Sequence, residues 1–339
     1  MKILTDTKLL QHQTNLVEGV PPAFCTVCCV PILIAVKVRD YIKNYYEIPT
    51  KKNKNPVKDN TLEQKESQAI ELLRHGANLA TELNPSGYWV GFSGGKDSQV
   101  LLDLVQRSGV PYTAHYNVTS IDPPDNVYFI RKHYPEVEFL HPKENFFKLI
   151  EKKGLPTAAH RWCCDRLKER ASAGYVILTG VRAEESKKRA SYEQVQIRSR
   201  RKEHQHSSGR TIDSIMQAHH SCIKGKDSIM LYPLLNWTAQ DIWDYITHHD
   251  LPINPCYKKN PRVGCMFCPY ASPKTILYYC QQYPSFYQLL LKSLAIYISK
   301  LSPDRKNLLD NPSEYFNWWL TGDTIEKYLK NKKQLNLDL

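Results

Sequence analysis

The sequence has no hydrophobic run long enough to cross a bilayer. Its most apolar stretch, Val27 to Val36, is ten residues long and broken by Pro31, about half of what a spanning helix needs. Met1 to Asn15 is polar, so no secretory leader is expected, and the expectation is a reducing, cytoplasmic compartment with no membrane partner. There is no internal repeat and no cysteine beyond Cys280. Neither the Walker pattern G-x-x-x-x-G-K-[ST] nor the dinucleotide pattern G-x-G-x-x-G occurs. These absences exclude a membrane-spanning chain, a repeat array and the two commonest phosphate-binding fingerprints.

What is present suits a large globular enzyme. The 339 residues are 42% hydrophobic, enough for a substantial core. Lysine and arginine number 46 against 34 aspartates and glutamates, a formal charge of +12, which favours anionic partners, nucleotides or nucleic acid. Seven of the ten cysteines fall in CxxC and CC groups and not in a spaced disulfide framework, so metal binding or reactivity is expected of them more than cross-linking.

The most informative stretch is Tyr88 to Val100, YWVGFSGGKDSQV. A β-prone run leads into Ser93-Gly94-Gly95-Lys96-Asp97-Ser98, and a helical pattern follows with Val100, Leu101, Leu104 and Val105 on one face. Two glycines between strand and helix let backbone N–H groups approach an anion, and the helix N-terminus adds a favourable dipole. Lys96 supplies a mobile cation, Ser93 and Ser98 supply hydroxyls, and Asp97 can cap the helix or help hold Mg2+ against phosphates. The segment is suited to a polyphosphate such as that of ATP.

Along the chain, residues 1–60 form an extension of unassigned role, 61–235 a nucleotide-binding α/β domain and 236–339 a helical region carrying CxxC. The extension contains Cys25, Cys28 and Cys29 among apolar neighbours, which favours packing over ligation, and then the solvated run KKNKNPVK. From Thr61 the periodicity predicts a helix over 62–83, a strand and loop, a helix to about Arg107, and a strand over 111–118. A helix from near Asp122, a strand over 137–140, a helix through Phe146 to Ile150, a helix over 163–171 and a strand over 175–179 complete the alternation. Such alternation predicts a doubly wound parallel sheet, with ligand loops SGGKDS, TSIDPPDN and TGVRAEES at the carboxyl ends of its strands. Residues 184–228 read as an irregular polar loop, with a basic run over 187–202 that is a candidate contact for nucleotide or nucleic acid. MLYPLL reads as a strand, and Thr238-Ala239-Gln240-Asp241 as a capping box. Tyr283, Phe286, Tyr287, Phe316, Trp318 and Trp319 read as core aromatics of a helical cap.

Two thiols of Cys163-Cys164 and two of Cys265-Met266-Phe267-Cys268 would make a four-sulfur site, as [4Fe–4S] clusters and structural Zn2+ both require. Adjacent cysteines rarely both reach one zinc, whereas the corners of a four-iron cluster are spaced widely enough to accept both. Alternatively one of the pair ligates and Cys222 supplies the fourth bond. Cys280 reads as packed, and Cys256 as a spare ligand or a reactive thiol on a polar loop.

Together SGGKDSQVLLDL, TSIDPPDNVYFIRKHYP, RWCCDRLKE, TGVRAEESKKR, YPLLNWTAQDIWDYI and VGCMFCP resemble the PAPS reductase family, within the adenine nucleotide α-hydrolase-like PP-loop ATP pyrophosphatase superfamily. The resemblance spans about Thr61 to Leu320. It implies that Lys168 lies beside a [4Fe–4S] cluster held by Cys163, Cys164, Cys265 and Cys268, and that Arg182 and Arg189 face nucleotide phosphates. Lys96, Asp97 and Arg182 are then the candidates for catalysis. The sulfonucleotide reductases of the family carry a nucleophilic cysteine in a C-terminal tail, which this sequence lacks, and they lack the full SGGKDS. The intact loop is similar instead to that of the sulfate adenylyltransferase small subunit and of the PP-loop component of DNA phosphorothioation systems. The expected function is cleavage of ATP to AMP and pyrophosphate to adenylylate an acceptor in sulfur metabolism. The alternatives are reduction of a sulfonucleotide and a nucleotide-gated nucleic-acid-binding subunit.

Overall fold

The computed structural model of the protein describes residues 61–168, 174–198, 212, 228–302 and 309–335. The N-terminal extension, Cys222 and residues 199–202 of the basic run lie outside them. In chain order the elements are α1 (Leu62–His75), α2 (Ala77–Leu83), β1 (Tyr88–Gly91), α3 (Lys96–Ser108), β2 (Tyr112–Asn117), α4 (Pro124–His133), β3 (Glu138–Leu140), α5 (Phe146–Lys153) and α6 (Trp162–Leu167). There follow β4 (Val176–Leu178), α7 (Lys187–Ala190), β5 (Val195–Arg198), β6 (Ser228–Leu231), α8 (Ala239–His248), α9 (Pro273–Gln282), α10 (Pro284–Ser299), α11 (Pro312–Thr321) and α12 (Ile325–Leu335). Single 3-10 turns occupy Ala183–Glu185 and Pro255–Lys258.

Among the described residues the sheet has six strands in the order β3-β2-β1-β4-β6-β5. All neighbours are parallel except β5 and β6, which are antiparallel. Trp89, Ile177 and Met230 lie in one register row and Val90, Leu178 and Leu231 in the next. Successive residues of a strand point to opposite faces, and all six are buried. Both faces are therefore covered, as in a doubly wound sheet.

Three sequence expectations need correction. The helix expected over 62–83 is two helices, because Gly76, a poor helix former, stands between them; there the Tyr88 hydroxyl donates to Leu73 O at 2.8 Å. The polar stretch after Glu184 is not wholly irregular: α7 and the edge strand β5 lie within it. The helix at Cys163 starts one residue earlier and runs to Leu167, and 169–173 lie outside the described residues. The capping box at α8 forms as its spacing predicts, Thr238 Oγ1 accepting from Asp241 N at 3.1 Å.

Helices α1, α3 and α8 pack together on one side of the sheet. A polar cluster joins them: exposed Arg107 donates to buried Glu66 and Tyr245, both at 2.8 Å, and lies 3.2 Å from His249. A separate apolar core unites α5 with the C-terminal helices, where Phe146, Phe147 and Ile150 meet Leu290, Leu294, Phe316 and Trp319. The aromatics expected to be core thus pack against this cluster, and Trp319 Nε1 donates to Pro156 O at 2.6 Å. No helix among the described residues is long and apolar enough to cross a membrane.

Leu290 is fully buried between α10 and α5. Leu290→Ala should lower unfolding stability by about 2–5 kcal/mol through lost transfer energy and a residual cavity, read as a reduced urea midpoint; a loss under about 0.5 kcal/mol, typical of surface sites, would contradict this packing.

Candidate functional site

From β1 the strand order runs one way to β2 and β3 and the other way to β4 and β6. The switch point falls between β1 and β4, where open α/β sheets bind their ligands at the strands' carboxyl ends. The loop after β1 is Phe92–Gly95, and the loop after β4 carries Gly180 and Arg182. These loops touch. A Cβ added at Gly180 would lie 2.8 Å from the carbonyl carbon and oxygen of Asp97, so only glycine permits this approach.

Close contact of the two loops assembles a charge chain. Arg182 Nε donates to Asp97 Oδ1 at 2.6 Å and its Nη1 to Glu184 at 2.8 Å, with Arg182 only 5% exposed. Lys96 Nζ reaches the same carboxylate at 2.8 and 3.0 Å. Glu185 accepts from the Arg182 amide at 3.0 Å and pairs with Arg189. Lys96, Asp97, Arg182 and Arg189 are thus brought into one network. Lys96 is not the mobile surface cation expected: it is the first residue of α3 and 8% exposed. Burial lowers its pKa, opposed by the charge of Asp97. Nor does Asp97 cap the helix; Gly95 holds that position without a side-chain bond.

The loop is internally braced. Ser98 Oγ accepts from Ser93 N at 3.1 Å and donates to Gly95 O at 2.8 Å, while Ser93 Oγ accepts from Gly95 N at 3.3 Å. Gly94 has φ +74°, the left-handed region. Three further residues touch the loop: Asn126 ends the expected ligand loop TSIDPPDN, while Asn254 and Tyr257 were not singled out in the sequence. Asn126 Nδ2 donates to Ser93 O at 3.2 Å, Asn254 Nδ2 to Gly94 O at 2.8 Å, and Lys96 N donates to the Tyr257 hydroxyl at 2.8 Å. Asn254 precedes Pro255 and caps its 3-10 turn, a placement that the Asn-Pro pair could have signalled. Nothing local marks Tyr257.

Cys163 and Cys164 sit in the first turn of α6, and Cys265 and Cys268 on the segment before α9. The four converge: the Cys163 thiol is held far above its ordinary range by a hydrogen bond with Cys164, by burial, and by the charges of Cys164, Cys265 and Cys268. Lys168, exposed as a residue, turns its ammonium to Cys265, whose charge raises the lysine's pKa against burial. Thr119 Oγ1 lies 3.6 Å from Cys265 Sγ. None of the described cysteines is in a disulfide. Four convergent thiols beside a cation fit an iron–sulfur or zinc centre by donor chemistry. As the side chains stand, no group of three or more His, Cys, Asp or Glu among the described residues is arranged to hold a metal ion.

A parallel α/β sheet with a glycine-rich loop at its switch point defines a protein of the doubly wound class. The family profile described as phosphoadenosine phosphosulfate reductase domain matches residues 87–271, and the chain belongs to the PAPS reductase family. It is 24% identical over 260 residues to an uncharacterized protein of Methanocaldococcus jannaschii, a match covering 74% of this chain and 54% of that protein. The chain therefore spans about half the length of that relative. It is 26% identical over 214 residues to sulfate adenylyltransferase subunit 2 of Rhizobium tropici, covering 58% of this chain and 68% of that one. Among solved structures, phosphoadenylyl-sulfate (PAPS) reductase from Candida auris, in a phosphate complex, matches at 16% identity and TM-score 0.38, over 63% of this chain and 98% of that chain. That structural likeness is too slight to bear on function.

Cys256 departs from its expected place on a polar loop, being 8% exposed in the 3-10 turn beside Asn254. Burial, then the charge of Asp125, pushes its thiol up to about 12. Only thiolate reacts readily, so Cys256 should stay unmodified by iodoacetamide in folded protein at pH 8 and become modified after unfolding. Peptide mass spectrometry checks this, and rapid labelling of native protein would refute the buried placement.

Proposed function

We propose that the protein is a nucleotide-binding enzyme of sulfur metabolism that binds ATP at the loop Ser93–Ser98 and cleaves it between the α- and β-phosphates. The observation carrying this reading is the contact of the two switch-point loops, which sets two buried cations, Lys96 and Arg182, around a glycine-rich helix N-terminus. An oxygen of the acceptor would attack the α-phosphorus, forming a new P–O bond while the bond to the bridging oxygen breaks and pyrophosphate leaves with the electron pair. Lys96, Arg182 and the amide of Gly94 are suited to stabilise that departing charge, because donors fixed in a water-poor site need little reorganisation. Arg189 would add charge through Glu185. Ser93 and Ser98 keep the loop in shape. Mg2+ would arrive with the phosphates, and Asp97 is the carboxylate of the loop that would hold it, neutralising phosphate charge.

Cys163, Cys164, Cys265 and Cys268 would hold the [4Fe–4S] cluster, with Zn2+ the alternative, and Lys168 would balance its negative charge. Such a cluster supplies electron transfer or sulfur chemistry when bound, whereas zinc here would be structural. Reduction of a sulfonucleotide is the competing reaction. Contact of the basic run 187–202 with nucleic acid is an added partner reading, for which α7 supplies Lys187, Lys188 and Arg189.

Incubation of the full chain with labelled ATP and Mg2+ is expected to give AMP and pyrophosphate, or exchange of labelled pyrophosphate into ATP. Lys96→Ala should lower that rate about 10²–10³-fold, the usual effect of removing a transition-state donor, with the melting temperature followed because Lys96 is buried. ADP and phosphate as products would defeat the reading, and sulfite release from adenylylsulfate with thioredoxin would favour the reductase.

Protein purified anaerobically should be brown and contain about four irons per chain, and Cys265→Ser should remove most of the metal. Zinc instead of iron would assign the cysteines a structural role. Neither metal would remove the ligand assignment.

A further inference from the structure

A glycine-rich loop that binds an anion has a problem its own sequence cannot solve. Each peptide unit carries N–H on one side and C=O on the other, and with no side chains to resist, a peptide can rotate and present its carbonyl lone pairs where the anion should sit. Something outside the loop has to hold the carbonyls down. In this protein the carbonyls of both peptides flanking Gly94 are held. Ser93 O accepts from Asn126 Nδ2 at 3.2 Å, and Gly94 O from Asn254 Nδ2 at 2.8 Å.

The two amides also brace each other. Asn254 Nδ2 donates to Asn126 Oδ1 at 2.7 Å, and Asn254 Oδ1 accepts from Cys256 N at 2.9 Å. Each orientation is dictated by a partner with one role only: a carbonyl oxygen can only accept, and a backbone N–H can only donate. Asn254 is 0% and Asn126 3% exposed, so water cannot substitute for a lost partner at either. The packing is close enough that a Cβ at Gly94 would lie 2.3 Å from Asn126 Oδ1. Asn126 Nδ2 also donates to the Tyr116 hydroxyl at 3.4 Å, so rotation of either peptide would leave one of the two N–H groups of a buried side-chain amide without its acceptor, which is unfavourable.

We infer that Asn126 and Asn254 are positioning residues for the phosphate loop: they pin the Ser93 and Gly94 carbonyls inward so that no carbonyl turns toward the pyrophosphate and the Gly94 amide stays available to it. This rests on the reading of the loop as a pyrophosphate site. Asn126 comes from the start of α4 and Asn254 from the segment after α8, so two elements distant in sequence fix the loop from behind without touching the ligand.

The test is calorimetric titration of inorganic pyrophosphate into the full chain, with thermal melting recorded for each variant. Asn254→Ala and Asn126→Ala should each weaken binding about tenfold or more, the scale of one buried hydrogen bond lost. Gln99→Ala is the structural control. The buried Gln99 side chain donates to Pro252 O and to the Tyr134 hydroxyl, both at 2.7 Å, so it anchors the Asn254 segment, and only the Gln99 backbone, which the substitution keeps, bonds the loop, at Gly95 O. It should lower the melting temperature yet leave pyrophosphate affinity within about twofold, the span of coupling-free substitutions. If Asn254→Ala does not fold, Asn126→Ala, which leaves the cap on Cys256 intact, carries the test. Wild-type affinity in the asparagine variants would overturn the inference, and so would an equal loss in Gln99→Ala. Absence of pyrophosphate and ATP binding by the unmodified protein would instead bring down the reading of the loop itself.

Discussion

The Asp97 carboxylate, shared by Lys96 and Arg182, is the interaction on which the candidate site depends. A lone cation at this depth would be strongly unfavourable, and Asp97 supplies one anion to two of them. With Glu184 also paired to Arg182, both cations are balanced as they stand, and a phosphate arriving beside them would compete with these carboxylates for the two cations. The contact needs β1 and β4 to be adjacent, needs Gly180 against the first turn of α3, and needs α3 to start at Lys96. The sheet order, the glycine and the helix start thus serve a single electrostatic arrangement.

The loop and the cysteines are not independent. The stretch after β2 supplies Thr119, beside Cys265, and Asn126, beneath the loop. The stretch after α8 supplies Asn254 and Tyr257 to the loop and then Cys265 and Cys268. Met266 N donates to Ile121 O at 2.9 Å, fastening these stretches to each other between the two sites.

Local chemistry was legible in the sequence, and long-range chemistry was not. SGGKDS between an apolar strand and an amphipathic helix announces its turn and the start of its helix because every contributing residue is within a few positions. The capping box at Thr238 is legible for the same reason. The burial of Lys96 was not, since it lies in a network closed by Arg182, which reaches Asp97 from 85 residues away. Strand β5 escaped because Val195 to Arg198 is short and set in a charged stretch, with its pairing supplied by β6. The cysteine pairs stood out by spacing, but their convergence is a product of the fold. Asn126 and Asn254 look like ordinary turn residues, and only the three-dimensional placement of Gly94 gives their amides a task.

The polar cluster joining α1, α3 and α8 bears on how the chain finds its fold. Apolar helix faces can slide past each other by a turn with little change in buried area. Here Arg107 must meet Glu66, Tyr245 and His249 together, while the Tyr245 hydroxyl also donates to Asp103. A slip of one turn would strand the Glu66 carboxylate, 7% exposed, away from its cation. Misdocked arrangements of these helices are therefore penalised far more than the native one is rewarded, which widens the gap between the native packing and its competitors. The register of α3, and with it the position of its first residue at the glycine-rich loop, is set from the far end of the same helix.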